Sequence, residues 1–445
     1  MSEIIIIGGG IVGLAIALEL KFRGASVTVL SRDFQEAAGH AAAGMLAPQA
    51  EAIPPGAMLD LCLQSRELYP EWIDKLEQLT GIETGYWQCG ILAPHYEVPR
   101  SPKTDSTAMW LDKAAIQCHQ PGLSKDVVGG WWYPEDGQVD NRALLKSLLS
   151  AARALGVNLK EGVAVESIQV QKGKVTCLRT AQGKFQGAKY VLATGSWCNQ
   201  LLPLPVRPVK GQMLSLGMPN SNHEPLPLTR VIFGPQTYLV PRRDGRLIVG
   251  ATSEEVGWTP YNTPSGINNL LQRAINLYPA LGNWKIEEFW WGFRPGTPDE
   301  LPILGTSPWE NLILATGHYR NGILLAPITA ALLTDLILQN KENPLLAHFR
   351  YHRFTTSLPQ PLNMLTPTNN SSLVPTEQQD ELIIAGRTFS SRLMTGTGKY
   401  SNIEQMQQSI AASGSTIVTV AVRRVQTKAP GHVGLAEALD WSKIW

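Results

Sequence analysis

The sequence predicts an α/β chain that opens with a dinucleotide-binding βαβ unit and continues as α+β. Three observations carry this. "EIIIIGGGIVGLAIALELKFRGASVTVL" reads as strand, glycine-rich turn, helix, glycine stop and second strand. Strand-like and helix-like stretches then alternate, with short Gly/Pro punctuation, up to about residue 353. At 445 residues the chain is long enough for two or three domains and a sizeable core.

In the opening unit Gly8, Gly10 and Gly13 form GxGxxG directly after an apolar strand. Glycines there allow a tight turn and close backbone approach. The helix that starts near Ile11 and Val12 turns free N–H groups and its positive end toward a pyrophosphate. An acidic residue for the ribose hydroxyls is expected at the end of the second strand, but Ser31 stands there, followed by Arg32. Ser31 can hydrogen-bond a ribose hydroxyl without charge, Arg32 suits a 2′-phosphate and therefore NADP, and a solvated arginine fits equally well.

Composition narrows the function class. Hydrophobic residues make up 44 %, charged residues 17 %, and the formal net charge is +1. That balance suits a soluble enzyme and gives no electrostatic case for nucleic acid or an anionic membrane. The cysteines at 62, 89, 118, 177 and 198 are odd in number and form no CxxC pair. They read as reduced thiols of a cytoplasmic protein rather than a disulfide frame or a zinc site, and no metal is expected. Ile4–Ile7 is too short for a signal h-region, and no run of 18 apolar residues occurs.

The stretch "TTSLPQPLNMLTPTNNSSLVPTEQQDE" (355–381) has no aromatic residue, no Lys or Arg, and four prolines, so it reads as a linker. Order is expected to resume with "ELIIAGRTFSSRLMTGTGKY" (381–400), a helix, and the strand-like "TIVTVAV" (416–422). The expected division is 1–353, a linker over 354–380, and a C-terminal segment over 381–445.

Five later stretches choose between nicotinamide and flavin: "HAAAGMLAPQAE" (40–51), "YVLATGSW" (190–197), "TYLVPRRDGRLIVGAT" (237–252), "FWWGFRPGTPDELPILG" (289–305) and "LATGHYRNGILLAPITAALLTDLI" (314–337). With the N-terminal loop, they resemble the glycine oxidase branch of the D-amino-acid oxidase-like flavoproteins. The resemblance implies FAD, a Rossmann-type FAD-binding domain interleaved with a mostly antiparallel substrate domain, and oxidation of glycine to its imine. O2 would be reduced to peroxide, and the imine would supply the thiazole of thiamin. Sarcosine and small D-amino acids are the alternative substrates, and a flavin-containing adaptor without turnover is the alternative class.

The resemblance also implies site residues. Arg294 would pair with the substrate carboxylate, for which its planar fork of donors is suited. The Tyr238 hydroxyl would assist there, and Arg320 would lie by both flavin and substrate. Cofactor contacts would come from Ala43, Gly44 and Met45, from Val165 at the adenine end, and from Gly195. The turn His318, Tyr319, Arg320, Asn321, Gly322, Ile323 and Leu324 would add more, followed at once by an amphipathic helix whose N-terminus would face the flavin.

Residues 381–445 resemble the start of a second family, thiazole synthase, whose fold is a (β/α)8 barrel; the 65 residues of this segment would be a truncated part of it, without the family's imine-forming lysine. Association with a thiazole synthase and a homo-oligomeric state are expected. No residue stands out in the sequence as an obligatory base.

Overall fold

The computed structural model describes residues 3–99, 108–219, 226–357, 382–384, 387–389, 393–397, 403–413 and 415–419. The chain divides into two compact units, Met1–Pro361 and Leu362–Trp445.

The first unit is built on two large sheets. One has six strands in the order Ile303–Thr306, Leu312–Thr316, Lys189–Leu192, Ile4–Ile7, Val27–Ser31 and Asn158–Glu161. All neighbours are parallel except the first pair. Its inner strands Ile4–Ile7 and Leu312–Thr316 are apolar almost throughout because both faces are covered, whereas the edge strand Asn158–Glu161 is polar and mostly exposed. Ile4, Ile6, Val27 and Val29 pack among helices Ile11–Phe22, Asn141–Ala154 and Ala326–Gln339. Ile5, Ile7 and Leu30 point the other way, against Val175 and Leu178 of the three-stranded antiparallel sheet over 165–185. The period of two in the strands thus meets two different coverings.

The second sheet has eight strands, in the order Lys285–Gly296, Arg207–Gly217, Arg246–Gly250, Tyr238–Pro241, Val231–Phe233, Ile91–His95, Gly129–Tyr133 and Met109–Asp112. Only Val231–Phe233 and Ile91–His95 run parallel. Alternation again sorts the faces. Leu214, Leu239, Leu247 and Val249 pack under helix Pro264–Leu277. Met213, Val240 and Ile248 face Ala43, Ala47 and Ala50. Because the chain visits the parallel sheet at 4–31, 158–192 and 303–316, and the antiparallel sheet at 91–133 and 207–296, the two are interleaved in sequence, as the resemblance implies.

In the C-terminal unit, Leu382–Ile384 and Arg387–Phe389 form an antiparallel hairpin. Met394–Gly396 pairs parallel with Ile417–Thr419 across helix Ile403–Ser413, giving one βαβ crossover. Met406 and Ile410, one turn apart, are buried on that helix, as are Ile417 and Val418 of the strand. Residues 420–422 of the strand-like stretch 416–422, and 358–380 of the expected linker, lie outside the described residues. A short 3-10 helix, Tyr351–Ser357, precedes them.

The GxGxxG turn shows why those positions are glycine. Gly8 has φ +111°, and a Cβ there would sit 2.4 Å from the Ala193 carbonyl oxygen. At Gly13 a Cβ would lie 2.0 Å from the Gly8 carbonyl oxygen, so the helix could not approach the strand. At Gly10 the nearest atom is Ala37 Cβ at 3.6 Å. Gly13→Ala is therefore expected to cost about 1–3 kcal/mol in urea unfolding, and Gly10→Ala much less. Equal stability of the two variants would overturn this reading.

Candidate active site

The two sheets enclose a cavity of about 490 Å³, a size usual for cofactor clefts. It opens at the carboxyl ends of three parallel strands, where Gly8, Ser31 and Thr194 line it directly. That is where ligands of doubly wound sheets bind. Gly10, Ile11 and Val12 complete the turn, and the helix that starts at Ile11 is capped by the glycine without a side-chain partner. Its first N–H groups therefore have no intrahelical acceptor.

Arg32 and Val165 line the cavity near this end. Arg32 pairs with Glu36 (2.5 Å) and stands over the Trp197 ring (5.1 Å). Its charge thus already has a carboxylate partner, which weakens the 2′-phosphate alternative. Ala43, Gly44 and Met45 line the cavity, as does Gly195, where a short 3-10 helix begins after strand Lys189–Leu192. The Thr194 hydroxyl oxygen is buried with no partner among the described residues, an orphaned polar atom that a bound polar ligand would satisfy.

The segment 43–45 is held by a residue the sequence did not single out. Arg242 is 4 % exposed, and its guanidinium donates to Ala43 O (2.7 Å), Val139 O (3.1 Å), Gln138 Oε1 (2.5 Å) and Asn141 Oδ1 (3.2 Å). Asp140 lies 3.8 Å away. Burial pulls this guanidinium down to about 10, opposed by Asp140.

At the other end Arg294, Tyr238 and Arg320 come together. Arg294 is on the edge strand Lys285–Gly296, paired with Val209. Its Nη1 donates to the Thr252 carbonyl (3.1 Å), and it forms no salt bridge with a carboxylate among the described residues. The neighbouring strand carries Gly211, where a Cβ would fall 2.4 Å from Arg294 Nη1, so the glycine makes room for the guanidinium. Tyr238 is on an inner strand, its hydroxyl 3.9 Å from Met213 Sδ. Burial raises that hydroxyl's pKa and Arg294 opposes the rise, so it stays a neutral donor at neutral pH.

Tyr319 N–H donates to Pro295 O (3.1 Å), which brings the 317–323 turn beside the end of the Arg294 strand. Tyr319 itself has φ +47°, and Arg320 stacks over its ring (5.2 Å). His318, Tyr319, Arg320, Gly322 and Ile323 line the cavity.

Three residues expected at the cofactor do not line the cavity. Gly13 serves the helix–strand approach. Leu324 is buried in the core, its carbonyl accepting from Ser65 Oγ (2.5 Å). Asn321 closes the turn through its backbone, N–H to His318 O (2.9 Å) and C=O from Leu325 N–H (2.8 Å). The helix that follows also differs from expectation. It begins at Ala326 rather than directly after the turn, and ten of its residues are buried. It is a core helix and not an amphipathic one, because other helices enclose it on several sides.

Glu51 lines the same cavity and was not singled out, although it closes the quoted stretch 40–51. Burial raises its carboxyl to about 7, opposed by Arg320 and then Arg294. A carboxyl at the end of an apolar run is the only sequence signal it gave. Among the described residues no group of acidic, His or Cys side chains could hold a metal, and no helix is long and apolar enough to cross a membrane.

This geometry defines a class: a two-sheet oxidoreductase with a dinucleotide loop at one end of its cleft and paired arginines at the other. Residues 3–336 match the FAD dependent oxidoreductase family (DAO), and the chain belongs to that family. Residues 383–445 match the family described as thiazole biosynthesis protein ThiG. The chain is 62 % identical to the bifunctional protein ThiO/ThiG of Synechocystis sp., covering 100 % of this chain and 70 % of that one. It is 32 % identical to the glycine oxidase of Bacillus subtilis, over 77 % of this chain and 94 % of that protein. The crystal structure of glycine oxidase from Geobacillus kaustophilus superposes with a TM-score of 0.73 at 32 % identity, covering 79 % of this chain and 98 % of that one.

His318 offers a pH test. It is 3 % exposed, its Nε2 lies 3.2 Å from Thr329 Oγ1, and burial lowers its pKa to about 4. The unfolded chain, with an ordinary histidine, binds the proton first as pH falls. Stability present at pH 7 is therefore lost as pH drops from about 6.5 toward 4. Between pH 7 and pH 5 the wild type should lose roughly 2 kcal/mol more than His318→Gln in urea unfolding. Identical pH dependences would remove the buried neutral imidazole.

Proposed function

We propose that the chain oxidises glycine to its imine at bound FAD, with O2 reduced to hydrogen peroxide, and that the imine feeds thiazole formation. The observation that carries this is the Arg294 guanidinium, which meets no carboxylate among the described residues, beside the Tyr238 hydroxyl in the cleft. The glycine oxidases among its relatives and the ThiG-like C-terminal segment support the substrate and the destination of the product.

The residues fit the cofactor. Gly8, Gly10, Ile11 and Val12 would hold the pyrophosphate on backbone N–H groups, and Ser31 the ribose. Thr194 would give its orphaned hydroxyl to the cofactor, and Ala43–Met45 a close apolar wall. When bound, the flavin supplies the two-electron acceptor that takes hydride from the substrate Cα and passes the electrons to O2.

The protein's own contribution is positioning and charge. Thr252 O fixes one guanidinium nitrogen of Arg294, and with no carboxylate of the described residues on it, the fork would be open to the substrate carboxylate. The Tyr238 hydroxyl donates as a neutral group. Arg320, steadied by Tyr319, adds a second positive charge to the same space. We also propose that residues 1–353 form the oxidase, 354–380 the linker and 381–445 the ThiG-like segment. The protein would form homo-oligomers and associate with thiazole synthase.

Peroxide release from the purified chain, assayed with glycine, sarcosine, D-alanine and D-proline, tests the reading. Glycine should give the highest kcat/KM; peroxide with sarcosine or D-alanine alone would reassign the substrate, and none with any would leave an adaptor. Arg294→Ala should lower kcat/KM for glycine tenfold to a few hundredfold, from loss of roughly 1.5–3 kcal/mol. Its flavin spectrum should be retained, and Arg294→Lys should recover little because an ammonium lacks the planar fork. Near-normal turnover by flavin-loaded Arg294→Ala protein would sink the carboxylate assignment.

Gly211→Ala gives an independent check on the same group. The added methyl must push the Arg294 guanidinium aside, a flexible end that can move without unfolding the sheet. KM for glycine should rise several-fold, with Tm and flavin content near wild type. A wild-type KM would show that the guanidinium has slack.

A further inference from the structure

Three acidic side chains line the cavity: Asp33, Glu36 and Glu51. The first two are at the Ser31 end and are engaged. Glu36 is paired with Arg32, and Asp33 accepts from Gln35 N–H (2.6 Å). Glu51 is different. Its backbone N–H donates to Ala47 O (3.0 Å), which fixes the turn, but its carboxyl has no hydrogen-bond partner among the described residues. It is half-buried, on the wall that continues from Ala43–Met45, in the cavity that also holds Arg294, Arg320 and Tyr238.

A half-buried carboxyl that lines the cavity and is engaged by no protein donor is free to meet a bound ligand. The charged groups around it can be named. Arg320 and Arg294 favour its ionised form, and Asp136 disfavours it. Tyr238 and the buried Cys62 feel its charge. Asp136 is itself tied to Arg66 (2.6 Å) and to Ala50 N–H (2.8 Å), so it is a fixed neighbour rather than a ligand. The carboxyl's raised value, about 7, means that it can hold or release a proton at neutral pH.

The reaction requires that the substrate amine lose a proton. A free amino acid enters as a zwitterion, and its carboxylate goes to Arg294. Its ammonium, one carbon away, cannot form an imine until it loses a proton and exposes the nitrogen lone pair. Two arginines in the same space repel that ammonium, and a carboxylate is a better proton acceptor than water.

We propose that Glu51 is the catalytic residue that receives the substrate ammonium, first as a hydrogen-bond acceptor and then as the base that removes its proton. One N–H bond of the ammonium breaks, one O–H bond forms on the Glu51 carboxyl, and the electron pair stays on nitrogen. No redox equivalent moves in this step. The inference rests on the amine oxidase reading above. It makes the cleft bipolar: Arg294 and Tyr238 select the carboxylate, and Glu51 selects a primary or secondary amine beside it.

The test uses the full flavin-loaded chain as wild type, Glu51→Gln and Glu51→Asp. Anaerobic flavin reduction by glycine is followed by absorbance from pH 6 to pH 10. At pH 7, Glu51→Gln should reduce more slowly by on the order of a hundredfold. The deficit should shrink as pH rises toward the amine's own pKa, and Glu51→Asp should recover part of the rate. Glycolate, which has the carboxylate but no amine, should perturb the flavin spectrum of wild type and Glu51→Gln with similar affinity. A wild-type pH profile in Glu51→Gln, or an equal loss of glycine and glycolate binding, would overturn the proposal. The same series with sarcosine and D-alanine separates the two readings. If glycine fails with the wild type but another amine shows the Glu51 dependence, only the glycine assignment falls.

Discussion

The buried guanidinium of Arg242 is the contact on which the cleft depends. It projects from the end of an inner antiparallel strand and donates to the Ala43 carbonyl, to Val139 and to the side chains of Gln138 and Asn141. Ala43 belongs to the segment that leaves the parallel sheet, and Asn141 starts a helix covering that sheet. One side chain therefore locks the substrate sheet to the cofactor-side elements at the wall of the cavity. Asp140 caps the helix at Ala143 N–H (3.1 Å) and also pairs with Arg246 (2.6 Å), so the charge of Arg242 sits in a compensated setting. Removing one member of such a buried cluster leaves an uncompensated charge, which costs about 3–5 kcal/mol.

With that wall fixed, charge is distributed along the cavity in a simple order. Glycine backbone and a helix start lie at one end, small apolar residues in the middle, and Arg294 with Arg320 at the other. Neither arginine forms a salt bridge with a carboxylate among the described residues, and Tyr238 stays neutral because burial disfavours its ionised form. Glu51 is the counterweight. Its carboxyl is raised by the same burial and held back from a larger rise by the two arginines. The cleft can therefore take an anion and a cation side by side, which is the charge pattern of an amino acid.

How much of this could be read in advance follows from the range of the interactions involved. The phosphate turn is local: strand, glycines and helix are contiguous, and the steric demand at Gly8 and Gly13 comes from a fixed backbone path. Arg294, Tyr238 and Arg320 were legible only through the resemblance of their surrounding stretches. Nothing in their own spacing brings residues 238, 294 and 320 together. The helix after the 317–323 turn was misread for the same reason. Its sequence does not reveal how many neighbours will cover it, and Ala326–Gln339 is enclosed rather than half-exposed.

The sequence by itself determined the dinucleotide loop, the alternation of strands and helices, and the family to which the chain belongs. The loop and the alternation rest on periodicity and on steric rules that act over a few residues, and the family on the resemblance of the quoted stretches. Only the tertiary structure decided which polar groups share a cavity and which are already satisfied. Arg32 and Arg294 look alike in sequence, yet one meets Glu36 and the other meets no carboxylate among the described residues. Arg242 and Glu51 look like ordinary surface charges until the sheets close over them. Desolvation and pairing depend on what the rest of the chain brings into contact, and that is a property of the closed fold rather than of any stretch within it.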